Sequence, residues 1–219
     1  MPRLLVADDH PLFRAALCQA ALAALPGGCV TEATDLASAL AALAAEPETD
    51  LVLLDLHMPG SRGLSGLASL RGQFPSVAVL VVSAHDDPRV IRRALDHGAC
   101  GFIPKSANPA EIAQAIHAVL ACGAWIPPQL VAGVAALPSD PDDSALAMRL
   151  ARLTEQQFRV LVLLADGLLN KQIADRLGIQ ERTVKAHVTA IFERLEVRNR
   201  TQASNLLRSL DLLDPVRSS

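Results

Sequence analysis

The sequence predicts an α/β doubly wound domain built on a five-stranded parallel sheet, followed by an all-α four-helix domain. Three observations carry this. Through residue 125, short aliphatic runs alternate with helical stretches, the beat of βαβ crossovers. The runs at 51–54 and 77–82 are continuously apolar, as strands buried on both faces are. Past Met148 only helical periodicity remains, broken by glycine-containing turns.

Element by element, strands are expected at 3–7, 29–34, 50–55, 77–82 and 101–103, with helices at 11–25, 36–45, 64–73, 88–97 and 109–121 between and after them. One common order of such sheets is 2-1-3-4-5, with the first and third strands neighbours, and they bind ligands at their carboxyl edge. Residues 126–146 carry Pro127, Pro128, Pro138 and Pro141 and then clustered Asp and Ser, which reads as a linker with one short helical piece at 129–136. Thr154 then opens a helix that Asp166-Gly167 stops, and a second helix, 171–177, ends at Gly178. Helices at 181–195 and 201–210 follow. A helix, a tight glycine turn and another helix is the helix-turn-helix pattern. The resulting boundaries are 1–122, a linker 123–149, 150–213 and a tail 214–219.

Composition sharpens the division. The chain has 219 residues, 51% of them hydrophobic and 20% charged, enough apolar material for a sizeable core. Its net charge of −3 conceals an asymmetry. Residues 1–147 hold 8 Lys+Arg against 15 Asp+Glu, whereas 148–219 hold 12 against 8, so the second half suits a polyanion. No apolar run is long enough for a membrane span, and no signal peptide is read at the start. Cys18, Cys29, Cys100 and Cys122 show no CxxC pair, so reduced, buried thiols and a cytoplasmic location are expected.

Asp8 and Asp9 end the first strand and Asp55 the third, its expected neighbour. Three carboxylates would therefore meet at the carboxyl edge, a costly arrangement unless a cation joins them; hard oxygen ligands at an open site favour Mg²⁺. Ser83 ends the fourth strand and Lys105 follows the fifth. A hydroxyl and an ammonium facing such a cluster make a place for a phosphoryl group. In the helical part, Val184, Val188, Ile191 and Leu195 fall on one stripe of the third helix. Arg182, Ala186, Thr189 and Glu193 fall opposite, flanked by Lys185 and His187, a small, polar and basic face suited to the major groove.

The segments "LLVADDHPLFR", "LVLLDLHMPGSRGL", "VVSAHDD" and "GFIPKSA" resemble the receiver domain of bacterial response regulators, of flavodoxin-like strand order, and "LLADGLLNKQIADRLGIQERTVKAHVTAIFERLEVRNRTQA" resembles the helix-turn-helix domain of the NarL/LuxR type. The likeness implies a two-component transcriptional regulator of the NarL/FixJ type rather than an enzyme. It implies that Asp55 accepts a phosphoryl group from a sensor histidine kinase. Asp9, Asp55 and the backbone carbonyl of His57 would hold Mg²⁺, with Asp8 acting through water. Ser83 and Lys105 would contact the phosphoryl oxygens, and Phe102 would be the switch aromatic that fills space vacated by a moving loop. Lys185 and its neighbours Arg182, Ala186 and Thr189 would read double-stranded promoter DNA, while Asn170, Lys171, Thr183, His187, Arg198 and Arg200 would contact its backbone. The last helix would pair two copies in a phosphorylated homodimer; RNA polymerase is a candidate further partner, and a membrane is not. A constitutive or ligand-controlled regulator of the same fold is the alternative. A haloacid dehalogenase-like phosphatase would need Asp where His57 stands.

Three positions of the helical part depart from the family pattern: Gln157, Glu196 and Thr189, the last standing where some relatives carry a second basic residue. Gln157 replaces a usual glutamate, which should turn an ion pair into a neutral hydrogen bond. Glu196 replaces a common glycine after the recognition helix. His10 is expected simply to begin the first helix, and Trp125 to pack on the last receiver helix.

Overall fold

The computed structural model describes residues 1–61 and 63–211; the end of the last predicted domain and the tail at 214–219 lie outside them. Strands β1 (Arg3–Ala7), β2 (Cys29–Ala33), β3 (Leu51–Asp55), β4 (Ala78–Ser83) and β5 (Gly101–Pro104) form one sheet of order β2-β1-β3-β4-β5. All four pairings are parallel, in the predicted order.

Strand alternation divides the core. Leu4, Val6, Leu51, Leu53, Leu80, Val82 and Ile103 point to the side covered by α1 (Pro11–Ala24) and α5 (Pro109–Leu120). Leu5, Val52, Leu54, Val79, Val81 and Phe102 point to the other, under α2 (Leu36–Ala45), α3 (Ser65–Gln73) and α4 (Pro88–Asp96). Successive side chains of a strand face opposite ways, so apolar runs are what a sheet covered on both sides requires. The helices start where capping chemistry allows: Asp35 accepts Ser38 N–H in a capping box, Asp87 accepts Arg89 N–H, and Asn108 accepts two amides, with Pro88 and Pro109 at first-turn positions.

The segment read as a linker is structured. It holds α6 (Pro128–Ala135), close to the one helical piece expected, and a second helix, α7 (Pro141–Leu150), that was not. Asp140 caps α7 with Pro141 in its first turn, and the helix buries Leu146 and Leu150. It packs on α3 and α4 on one side and on α10 on the other. The helical domain comprises α8 (Glu155–Ala165), α9 (Asn170–Leu177), α10 (Glu181–Leu195) and α11 (Arg200–Arg208). Gly178 ends α9 at φ +67°, the left-handed conformation that glycine adopts without cost.

The two halves dock against each other. Leu64 N–H donates to the Leu210 carbonyl at 3.1 Å, and the backbone at Ala151 lies so near α3 that only Gly72 fits beneath it. Arg93 on α4 grips Asp143 on α7 through two hydrogen bonds of 2.7 and 3.0 Å and also donates to the Ser209 carbonyl. His97, buried at the end of α4, lies 3.5 Å from the same carboxylate. The apolar core runs without a break from the sheet through Leu146, Leu150 and Leu153 to Phe158 and Ile191. The expectation of buried thiols holds for Cys18 alone; Cys100 is half-buried, and Cys29 and Cys122 are exposed because each sits at an element end rather than on a core face. Burial pushes the Cys18 thiol up to about 11.

Candidate functional site

The carboxyl edge of the sheet gathers the acidic residues. Asp8 and Asp55, both buried, leave β1 and β3 side by side, and Asp9 stands at the rim. Lys105, just past β5, reaches across so that its Nζ lies 2.8 Å from Asp8 Oδ2 and 2.8 Å from Asp55 Oδ2. Burial alone would push the Lys105 ammonium down; its bonds to Asp55 and Asp8 outweigh that and hold it above the ordinary lysine value. The ammonium also lies 5.0 Å above the Phe13 ring. Local backbone turns fix the carboxylates: His10 N–H donates to Asp8 Oδ1 at 2.8 Å, and His57 N–H to Asp55 Oδ1 at 3.2 Å.

Ser83 ends β4 fully buried, its hydroxyl accepting His85 N–H at 3.2 Å, while its carbonyl accepts Lys105 N–H at 2.7 Å. Phe102 is already fully buried, so its ring occupies the interior before any loop movement. Its N–H donates to the Trp125 carbonyl at 2.9 Å, and Trp125 bridges Gly101 beside β5. Trp125 therefore extends the sheet edge besides touching the α1/α5 side of the core. A side chain at Gly101 would stand 2.3 Å from that carbonyl, so the close approach needs glycine.

One residue of the pocket was not anticipated. His10 caps α1 without a side-chain cap bond; its ring turns toward the acids, with Nδ1 2.7 Å from Asp9 Oδ1. Single ligand atoms of Asp8, Asp9, His10 and Asp55 all lie within 4.8 Å of one another, so the set could hold a divalent cation. The sequence signal was present in the "DDH" run, but the proline after it pointed to a helix start.

On the helical side, α10 buries Val184, Ile191 and Leu195 and half-buries Val188, the predicted stripe. Arg182, Lys185, Ala186 and Thr189 are exposed, with Lys185 held 3.0 Å from Glu181 one turn back. Thr183 and His187 flank them half-buried; Lys171 and Arg198 are exposed, and Asn170 half-buried begins α9. The Thr189 hydroxyl donates to the Lys185 carbonyl at 3.1 Å.

The sequence model of the response regulator receiver domain matches residues 4–117, and that of the luxR family of bacterial regulatory proteins matches 151–207. The chain belongs to the response regulators. The glycerol metabolism activator of Pseudomonas putida is 41% identical over 206 residues, 93% of each chain. The nitrate/nitrite response regulator protein NarL of Escherichia coli K12 is 32% identical, covering 92% of each. Among solved structures, a LuxR-family two-component response regulator from Aurantimonas sp. SI85-9A1 is 30% identical, with a TM-score of 0.56 over 61% of this chain and 94% of that one. The Salmonella typhimurium RcsB response regulator shares the fold, at 22% identity and a TM-score of 0.56 over 95% of this chain and 98% of that one.

In this response regulator the receiver grips α7, α8 and the end of α11, and the basic face of α10 stays open to solvent. Arg200 corrects the reading of it as a DNA contact. Its guanidinium turns inward and donates to the Leu164 carbonyl at 3.0 Å, which also accepts Gly167 N–H, and to the Leu168 carbonyl in the turn after α8. Gln157 also does better than expected: Arg194 Nη1 donates to its Oε1 at 2.5 Å, a charge-assisted bond that replaces the ion pair. Glu196 takes the left-handed cap at φ +58° that glycine would fill freely.

Proposed function

We propose that the protein is a DNA-binding transcriptional regulator switched by phosphorylation of Asp55. Lys105, held equally by Asp8 and Asp55, is the observation that carries this reading: a cation already placed beside a carboxylate nucleophile neutralises the repulsion that slows attack on an anionic phosphoryl donor. An Asp55 oxygen forms the new P–O bond as the P–N bond of the kinase's phosphohistidine breaks. Mg²⁺, when bound by Asp9, Asp55 and the His57 carbonyl with Asp8 acting through water, supplies further charge neutralisation. Lys105 then follows the phosphoryl oxygens, and Ser83 reaches them once its loop releases the His85 amide. The added charge of roughly −1.5 to −2 changes what the surrounding loops must balance.

Arg182 and Lys185 on the open face of α10 read promoter DNA, with Ala186 and Thr189 small enough to allow close approach. Lys171, Arg198, Thr183 and His187 contact phosphates, and Asn170 sits at the amino end of α9, where backbone amides favour anions. Paired copies would read two half-sites. Among the described residues no helix is long and apolar enough to cross a membrane, and we place the protein's work in the cytoplasm.

The test is full-length protein with acetyl phosphate and Mg²⁺, read by intact mass and by binding to promoter fragments. Wild type should gain one phosphoryl group, and Asp55→Asn none. Labelling of the variant would overturn the assignment. The exposed face of α10 supports a second reading, DNA contact without phosphorylation. Equal affinity of the wild type with and without beryllofluoride would select it.

A further inference from the structure

His10 lies against the acidic pocket, and the switch described above gives its side chain no task. Its backbone is fixed: its N–H is tied to Asp8 Oδ1 at 2.8 Å, and Pro11 opens α1 directly after it. The ring, free of capping, lies with Nδ1 2.7 Å from Asp9 Oδ1, 3.3 Å from Asp8 Oδ1 and 3.9 Å from Asp55 Oδ2. With its proton on Nδ1 the ring hydrogen-bonds to Asp9; with the proton on Nε2 the Nδ1 lone pair faces the carboxylates and the Lys105 ammonium 3.4 Å away, where it can meet a cation. Around a small divalent ion with bonds of about 2.1 Å, neighbouring ligand atoms stand about 3.0 Å apart and opposed ones about 4.2 Å. The 3.3 and 3.9 Å distances fall within that range, and the 2.7 Å contact with Asp9 lies about 0.3 Å below it.

We propose that His10 Nδ1 is a nitrogen ligand of the cation that Asp9 and Asp55 hold, and that it tilts the pocket from Mg²⁺ toward first-row transition ions. This rests on reading the pocket as the receiver's cation site. Oxygen-only sites suit the hard Mg²⁺, whereas imidazole raises affinity for Mn²⁺ and the ions after it far more than for Mg²⁺. The ring sits at the rim, its side chain 64% exposed, so it reaches the ion without giving up much hydration. His57 and His85 also lie near the pocket mouth, with ring centroids 5.6 Å apart, and neither ring belongs to the ligand cluster found among the described residues.

The experiment uses full-length protein loaded with Mn²⁺ at one fixed pH and read by electron spin-echo envelope modulation. Wild type should show coupling to a directly bound ¹⁴N. His10→Ala should lose it, His10→Asn, which preserves helix-cap chemistry, should lose it too, and His57→Ala and His85→Ala should keep it. The ratio of Mn²⁺ to Mg²⁺ affinity should fall on the order of tenfold in both His10 variants. Mn²⁺ bound without nitrogen coupling, or coupling that survives His10→Ala, overturns the ligand role and leaves the receiver pocket standing. Absence of Mn²⁺ and Mg²⁺ binding to the wild type overturns both.

Discussion

Replacing Gly72 by Ala tests how the receiver holds the rest of the chain. Gly72 lies near the end of α3, and a Cβ added there would stand 2.6 Å from Ala151 Cα, 2.8 Å from its carbonyl oxygen and 3.0 Å from its carbonyl carbon. Ordinary contact begins at 3.4 Å, so α3 and the residues after α7 would have to separate by about 0.8 Å. The obstacle is backbone, which cannot rotate aside as a side chain does. Overpacking of this kind costs about 1–3 kcal/mol. Within the helix, by contrast, Gly→Ala gains up to about 1 kcal/mol. The substitution therefore opposes docking while favouring the receiver itself. At 1.4 kcal/mol per tenfold, a 2 kcal/mol penalty lowers the docking equilibrium constant about 30-fold. Hydrogen exchange on the full-length protein should show α7 and the Leu64 amide, which bonds to Leu210, exchanging correspondingly faster, with β1 and β3 unchanged or slower. Unaltered protection of α7 would show that the close approach of α3 to Ala151 is not what seats the two halves together.

Other expectations rest on single contacts. Arg93→Ala removes two bonds to Asp143 and one to the Ser209 carbonyl and leaves a mostly buried carboxylate with only His97 beside it; it should loosen α7 by about 2 kcal/mol, read by the same exchange measurement. His97 titrates below its ordinary 6.5 because burial disfavours its charged form more than Asp143 favours it. Its contribution to docking is thus complete above pH 6.5 and declines as the pH falls below that value toward its lowered pKa; His97→Gln should flatten the decline in α7 protection between pH 7 and 5.5. Asp143, which burial would raise but Arg93 holds below 3.8, keeps its share through that window. Glu196→Gly relieves a left-handed residue at the end of α10 and should stabilise the chain by about 0.5–1 kcal/mol in urea unfolding, the exposed pair with Arg152 being worth little. Lys185→Ala should weaken DNA binding and reduce its salt slope by about one.

What the sequence revealed follows from which forces are local. Apolar runs buried on both faces, such as 51–54, mark strands without knowledge of their partners, and strand-end acids fall at one edge because parallel topology leaves no other place for them. The stripe of α10 was equally legible, since a helical period is written along the chain. Helix α7 was hidden because Asp140 and Pro141 signal a helix start and a turn alike, and only Leu146 and Leu150 give it a buried face. Arg200 was misread, and the place of the His10 ring, though not of its backbone, was missed, for a related reason. The direction of a long or rim-placed side chain is decided by tertiary neighbours, here the carbonyls of Leu164 and Leu168 and the carboxylates of the pocket, and no spacing rule encodes those.

The same contacts indicate where a signal from the acidic pocket must go. Ser83, Phe102 and Lys105 lie at the ends of β4 and within or just after β5, and two physical routes leave these strands. One passes from the Phe102 amide to Trp125, where the chain enters α6; the other passes from the loop after Ser83 into α4, which carries Arg93 and His97. Both converge on the α6–α7 segment, which α4 contacts at both helices. None of the named contacts ends on the basic face of α10, which is exposed before any switch occurs. A conformational change at the pocket can therefore alter DNA binding chiefly by releasing α7 and the end of α11, and only secondarily through the contacts that the basic face of α10 makes.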